Sequence, residues 1–305
     1  MVNPDVRLLI VGAGAIGCLF AARLKRAGFQ ITLLEKVQET VDRINADGIA
    51  VEGVSGQYSV IVPAYSGRAP HEPDLVILCV KSYDTREASE TIRPWLQPDA
   101  PVLTLQNGVG NIEILQKVFG RERVLGGVTA EGATVVAPGK IRHAGQGETI
   151  VGGGKAAGEV VSVLEKAGFN IRAVDDIHPF IWGKLMINAG INALAAITRL
   201  KNGRLPNLKG TRSIMEEAVS EAVTIIKAKN IGIPYLDPIG RVMEVCEATA
   251  GNTASMLQDV LNKKRTEIDS INGAIVREGA ALGIPTPVNS TLTSLVQAIE
   301  EAYLS

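Results

Sequence analysis

Leu8-Leu9-Ile10-Val11-Gly12-Ala13-Gly14-Ala15-Ile16-Gly17 joins an apolar run to a glycine-rich turn near the N-terminus. Residues 6–11 form a short apolar run, the pattern of a buried parallel strand. Gly12, Gly14 and Gly17 then occupy the three glycine places of G-x-G-x-x-G, and Ala15 to Ala27 reads as a helix closed by Gly28. Gly12 permits a tight turn, Gly14 lets the backbone approach a pyrophosphate, and Gly17 lets helix and strand pack closely. The helix N-terminus offers free N–H groups and a partial positive charge to the anion. Loop glycines are common, so the pattern alone says little. The strand before it and the helix after it make it a candidate dinucleotide cradle, against the plainer reading of a strand-to-helix turn with no ligand.

Working outward, the periodicity predicts a strand over 30–35, a helix over 37–46, a hairpin-like region over 49–64 and a strand over 74–80. A helix over about 84–92, a strand over 101–106 and a helix over about 111–118 follow. Strands alternating with helices imply a parallel sheet covered on both faces. Residues 123–152 are rich in Gly and Thr and predict antiparallel hairpins; a last helix-Gly-strand unit spans 159–174. From Asp176 strand signals vanish, and apolar residues three and four apart take over, punctuated by Gly203, Pro206, Gly232-Ile233-Pro234 and Gly283-Ile284-Pro285. The fold class expected is α/β, with a dinucleotide-binding domain over 1–175 and an all-helical substrate domain over 176–305.

Composition narrows the function. At 305 residues the chain is long enough for two domains of ordinary size, and with 46% hydrophobic and 21% charged residues it has the balance of a globular protein. Lys and Arg number 31 against 32 Asp and Glu, so no net field recruits nucleic acid or an anionic membrane, and neither partner is expected. The run Lys263-Lys264-Arg265 reads as a solvated helix turn. The uncharged stretches Leu8–Ala22 and Leu185–Thr198 fall short of the roughly 20 residues a spanning helix needs. Three scattered cysteines, Cys18, Cys79 and Cys246, suggest no disulfide framework and no metal knuckle, and point to a reducing cytoplasm.

An acid ending the second strand, here Glu35, accepts hydrogen bonds from the ribose hydroxyls of NAD and repels the extra phosphate of NADP. Lys36 follows it and favours that phosphate. The two residues point in opposite directions.

In the helical half, Lys184, Asn188 and Asn192 recur every four residues among Leu185, Ile187, Ile191 and Leu194, one polar stripe on an apolar helix. Such a stripe is either hydrogen-bonded inside the protein or used on a ligand. Hydride delivery to a ketone needs a proton for the nascent alkoxide. A partly desolvated lysine with its pKa lowered towards neutrality supplies one. His71, in a Pro-rich loop, His143, in the hairpin region, and His178, beside Pro179, read as surface or capping histidines.

These residues resemble the ketopantoate reductase (2-dehydropantoate 2-reductase) family. The resemblance runs through Gly12 to Gly17, Leu105-Gln106-Asn107-Gly108-Val109-Gly110, the Lys184-x-x-x-Asn188-x-x-x-Asn192 helix, Ser255-Met256-Leu257-Gln258-Asp259, and Thr266-Glu267-Ile268-Asp269-x-Ile271-Asn272-Gly273. It implies a Rossmann-type domain followed by a helical domain like that of 6-phosphogluconate dehydrogenase. It further implies Lys184 as proton donor, and Asn188, Asn192, Asn202 and Ser255 as substrate-holding residues. Asn107 is implied to touch both cofactor and substrate, Lys81 and Ala130 to line the cofactor, and Glu267 to bridge cofactor and substrate side. Gly12, Ala13, Gly14, Ala15, Ile16 and Gly17 are implied to hold the dinucleotide. The reaction implied is reduction of 2-dehydropantoate to (R)-pantoate, towards pantothenate and coenzyme A. Family members using NADPH commonly carry arginine where Lys36 stands, without an acid before it. NADPH is the cofactor expected from family and Lys36 together, with NAD kept open by Glu35.

Ser255 and Glu267 lie twelve positions apart, about 18 Å along one continuous helix. If both line one small site, the chain must turn between them, with a helix carrying Glu267 from near Lys263; otherwise Ser255 is simply a helix cap. Two other functions stay open: reduction of another branched 2-keto acid or an imine, and a non-catalytic nucleotide sensor. Helical second domains of this kind often pair, so a homodimer is the expected assembly.

Overall fold

The computed structural model describes residues 6–304. In chain order its first part carries β1 (Arg7–Val11), α1 (Ala15–Arg26), β2 (Gln30–Leu34), α2 (Gln38–Asp47), β3 (Ile49–Gly53), β4 (Tyr58–Val60), β5 (Ala64–Tyr65), β6 (Leu75–Leu78) and α3 (Thr85–Ile92). Then come β7 (Val102–Thr104), α4 (Asn111–Phe119), β8 (Val124–Thr129), β9 (Gly132–Ala137), β10 (Lys140–Gly145), β11 (Thr149–Gly152), α5 (Ala157–Lys166) and β12 (Ile171–Val174). The rest is helical: α6 (His178–Thr198), α7 (Lys209–Ala228), α8 (Pro238–Ala248), α9 (Ser255–Leu261), α10 (Asn272–Leu282) and α11 (Pro287–Leu304).

The main sheet has eight strands in the order β12-β11-β8-β7-β6-β1-β2-β5. Every neighbouring pair in it is parallel except β8 and β11. The chain runs from β1 outward to β2 and β5, then returns to the other side of β1 as β6. That reversal places a topological switch point at the carboxyl ends of β1 and β6, where open α/β sheets bind ligands. Leu8 to Val11 and Leu75 to Leu78 are buried on both faces, which explains why these strands read as unbroken apolar runs.

Two regions differ from the sequence expectation. The segment over 123–152 does pair antiparallel as expected, β9 with β10 and β8 with β11, but the two pairs enter different sheets. β8 and β11 belong to the main sheet, while β9 and β10 join β3 and β4 in a second, four-stranded sheet. β3 and β4 do pair antiparallel, but β10 lies parallel to β3. Local sequence marks strands; it does not say which sheet they enter.

His143 is the second difference. It is a fully buried residue of β10, not a surface histidine. Its Nε2 shares a 2.7 Å hydrogen bond with Glu131, whose other oxygen accepts one from Arg23 of α1 at 2.9 Å. Arg23 also donates to the carbonyl of Gly168 and lies over the ring of Phe169, 3.8 Å from its centroid. A buried carboxylate between two nitrogen bases explains how the site tolerates charge.

The residues divide into two compact units. The first holds the described residues up to Gln106 with Gly110–Ile177; the second holds Asn107–Val109 with the residues from His178 onward. Each has its own apolar core, around Phe20, Ile10 and Leu103 in the first and around Met186, Val219 and Ile275 in the second. α6 is the central helix of the second. By length and composition it is apolar enough to cross a membrane, longer than its uncharged stretch suggested, yet 72% of its most apolar window is buried inside the protein. It is a core helix. Lys263-Lys264-Arg265 lies beyond the end of α9, with Lys263 in the left-handed region (φ 53°), rather than on a helix turn.

Candidate active site

The glycine turn sits where β1 ends. Gly12 has φ +100°, and a Cβ there would lie 2.9 Å from both the backbone nitrogen and a side-chain methyl of Val80, beyond the end of β6. At Gly17 a Cβ would overlap the carbonyl oxygen of Gly12. At Gly14, in contrast, nothing of the protein lies within 4 Å of that position. Two glycines therefore close the turn, and the third opens it to a ligand. Gly14 precedes α1 and no side chain caps the helix, so its first N–H groups face outward as an anion site requires. The cradle fits a dinucleotide pyrophosphate.

Beside it, Glu35 follows β2 and accepts hydrogen bonds from the N–H of Ala13 at 2.9 Å and of Val37 at 3.0 Å. Its carboxylate is thereby fixed against the glycine turn. Lys36 is 62% exposed, and its ammonium is bound to Asp84 at 2.7 Å. Ile16 is half-buried on α1, and Ala130 is exposed just after β8. Lys81 is half-buried, before a 3-10 turn that leads into α3. Gln106 holds that loop: its amide donates to the carbonyl of Val80 at 2.9 Å and to the hydroxyl of Thr85 at 2.7 Å, and accepts from Thr104 at 2.9 Å. Sequence reasoning gave neither Asp84 nor Gln106 a role. Asp84 lies 48 positions from Lys36, and no local pattern signals the pair.

In the helical unit Lys184, Asn188 and Asn192 follow one another along α6. Burial drives the pKa of Lys184 down from 10.5 to about 8, against the attraction of Glu267, which raises it. Glu267 is itself buried and introduces the 3-10 turn Ile268–Ser270. Neither Asn188 nor Asn192 hydrogen-bonds another described residue through its side chain, although Asn192 is only 6% exposed. Amides serving a structural network would be bonded to the protein; these two are not, and Asn188 is half-buried. Asn202 is buried in the turn after α6; its amide nitrogen donates to Thr249 at 2.9 Å while its oxygen has no partner.

Ser255 opens α9 and is exposed. The cap position belongs to Ala254, and the serine makes no cap bond. The chain does turn between Ser255 and Glu267, since α9 ends at Leu261. Glu267 lies on no helix starting near Lys263, however; α10 begins only at Asn272. Asn107 belongs with these residues. Its neighbour Gly108 has φ +83°, and a Cβ there would fall 2.5 Å from the carbonyl oxygen of Ser270, in the turn that Glu267 introduces. Among the histidines, His178 is exposed at the start of α6 and His143 is tied to Glu131.

The glycine cradle of the first unit and the desolvated lysine on the amide stripe of the second are each features expected of a nicotinamide-dependent oxidoreductase, the class to which this chain's relatives belong. Residues 8–155 match the model of ketopantoate reductase PanE/ApbA, and residues 176–300 match the model of its C-terminal domain. The chain belongs to the ketopantoate reductase family. It is 37% identical to 2-dehydropantoate 2-reductase of Archaeoglobus fulgidus, over 96% of this chain and 98% of that protein. Among solved structures, a PanE/ApbA family ketopantoate reductase from Ralstonia eutropha is 35% identical with a TM-score of 0.92, covering 98% of this chain and 100% of the other. D-mandelate dehydrogenase with NADH and anilino(oxo)acetate is 28% identical, also at a TM-score of 0.92 and with the same coverage.

Proposed function

We propose that this protein reduces the 2-keto group of 2-dehydropantoate to give (R)-pantoate, a step that supplies pantothenate and coenzyme A. The observation that carries the reading is Lys184, a desolvated ammonium with a pKa of about 8 on the Asn188–Asn192 stripe. A bound reduced nicotinamide supplies the hydride. Lys184 gives its proton to the oxygen that becomes the alkoxide, and Glu267 holds the lysine in its protonated form. Asn188, Asn192, Asn202 and Ser255 orient the keto acid without titrating. Asn107 and Glu267 serve substrate and cofactor together. Gly12, Ala13, Gly14, Ala15, Ile16, Gly17, Lys81 and Ala130 hold the dinucleotide. In this reading the first unit binds cofactor, the second binds substrate, the protein works as a homodimer, and three free cysteines suit a reducing cytoplasm.

NADPH is expected from Lys36, but the structure supports NADH more strongly. Lys36 is bound to Asp84, and Glu35 stands fixed beside the glycine turn. The two cofactors differ by one phosphate at the ribose that this acid meets.

The likeness to D-mandelate dehydrogenase supports a second reading, reduction of an aryl 2-keto acid. Steady-state rates with 2-dehydropantoate and with the keto acid corresponding to mandelate separate the two. A kcat/KM at least about tenfold higher for 2-dehydropantoate, about 1.4 kcal/mol, is the expected result. The reverse order overturns the reading.

A further inference from the structure

We propose that Asp84 is a cofactor-specificity residue of this enzyme, which selects NADH by neutralising Lys36, the lysine that follows the acid at the end of β2 and would otherwise favour a ribose 2′-phosphate. The inference rests on the reading that the glycine cradle takes a nicotinamide dinucleotide whose ribose meets Glu35.

Asp84 stands at the N-terminal end of α3, where an aspartate would ordinarily accept a hydrogen bond from the helix backbone. It makes no such bond. Its side chain, 19% exposed, reaches Lys36 instead at 2.7 Å. Glu87, one turn into the same helix, and Glu35 also act electrostatically on the Lys36 ammonium. Three carboxylates, one of them in direct contact, therefore act on one lysine, for a formal local charge of about −2 at the place where a 2′-phosphate would bring nearly two more negative charges.

Glu35 alone does not account for discrimination. Its two oxygens are occupied by the N–H groups of Ala13 and Val37, which disperses part of its charge, and Lys36 next to it would offset the rest. The bond to Asp84 removes that offset. The acid on β2 and the lysine after it then cease to oppose each other, because the lysine's charge is already matched across the switch-point side of the sheet. Asp84 is not a catalytic residue. It acts through Lys36.

The test is direct binding of NADH and NADPH to the whole protein, followed by nucleotide fluorescence, with kcat/KM for each cofactor measured beside it. Asp84→Asn keeps the shape and removes the charge. It is expected to raise NADPH affinity about tenfold while changing NADH affinity less than about threefold. Adding Lys36→Gln to Asp84→Asn is expected to erase the gain, which a merely structural role for Asp84 would not predict. Glu87→Gln, at an exposed position safe for folding, is expected to give a smaller gain in the same direction and serves if Asp84→Asn fails to fold. An NADPH affinity unchanged in Asp84→Asn, or a gain that survives loss of Lys36, overturns the proposal. Failure of wild type to bind either nucleotide overturns the cradle reading itself, a result distinct from binding with an unaltered preference.

Discussion

Burial and Glu267 act on Lys184 in opposite senses, and burial prevails: the pKa settles at about 8, below the ordinary 10.5 of a lysine. Without the carboxylate the lysine would be neutral in a larger share of molecules and a poorer acid reservoir. Without the burial it would hold its proton too tightly. The value lies near the pH at which general acids work best.

Lys184→Ala is therefore expected to lower kcat by about 10²- to 10⁴-fold, the usual span for a lost general acid, with a smaller change in KM. Steady-state kinetics with saturating cofactor measures it. Unchanged turnover would remove Lys184 from the chemistry.

The pH dependence has a definite sign. With Lys184 as the proposed proton donor, keto reduction would need the protonated lysine, so kcat/KM should fall as pH rises through about 8. Glu267→Gln removes the attraction that raises the pKa, and the falling limb should move to lower pH. A pH–rate profile of both proteins checks the shift; a limb that stays in place or moves upward contradicts the pairing.

Stability should run the other way. The folded pKa of Lys184 is lowered, so between about 8 and 10.5 the unfolded chain binds more protons and stability rises with pH across that window. Below it the buried ammonium costs up to roughly 3 kcal/mol, from 1.36 kcal/mol per pKa unit. Lys184→Met should thus unfold at higher urea than wild type at pH 7 while being inactive.

Gly14 and Gly17 offer a paired test. Gly14→Ala meets open space at an ordinary φ of −72°, so the protein should melt as wild type does yet bind dinucleotide at least about tenfold more weakly. Gly17→Ala overlaps the backbone of Gly12 and should lose both thermal stability and binding. Melting curves and a cofactor titration distinguish them.

Glu131→Ala should destabilise the first unit by about 3–5 kcal/mol, since it strands Arg23 and His143 without their shared carboxylate. Equilibrium urea unfolding measures it.

Much of this architecture was legible in residue order. β1, β6 and α1 follow from apolar runs and glycine placement, and the Lys184–Asn188–Asn192 stripe from a spacing of four, because both signals are local. What stayed hidden is pairing at a distance. Nothing near His143 announces Glu131 or Arg23, and nothing near Lys36 announces Asp84. The role of β8 and β11 in the main sheet was hidden for the same reason. Sheet membership is decided by neighbours far along the chain, while the local signal says only that a strand is present.

The placement of Asn107–Val109 with the helical residues bears on protein engineering. Val109 packs against the helical core, and Gly108 fits under Ser270 with no room for a methyl group. A chimera that exchanges nucleotide domains between relatives by a single splice near residue 177 would import a foreign tripeptide into the recipient's helical half. Swaps that return residues 107–109 to their native partner should give folded hybrids where the simple splice does not.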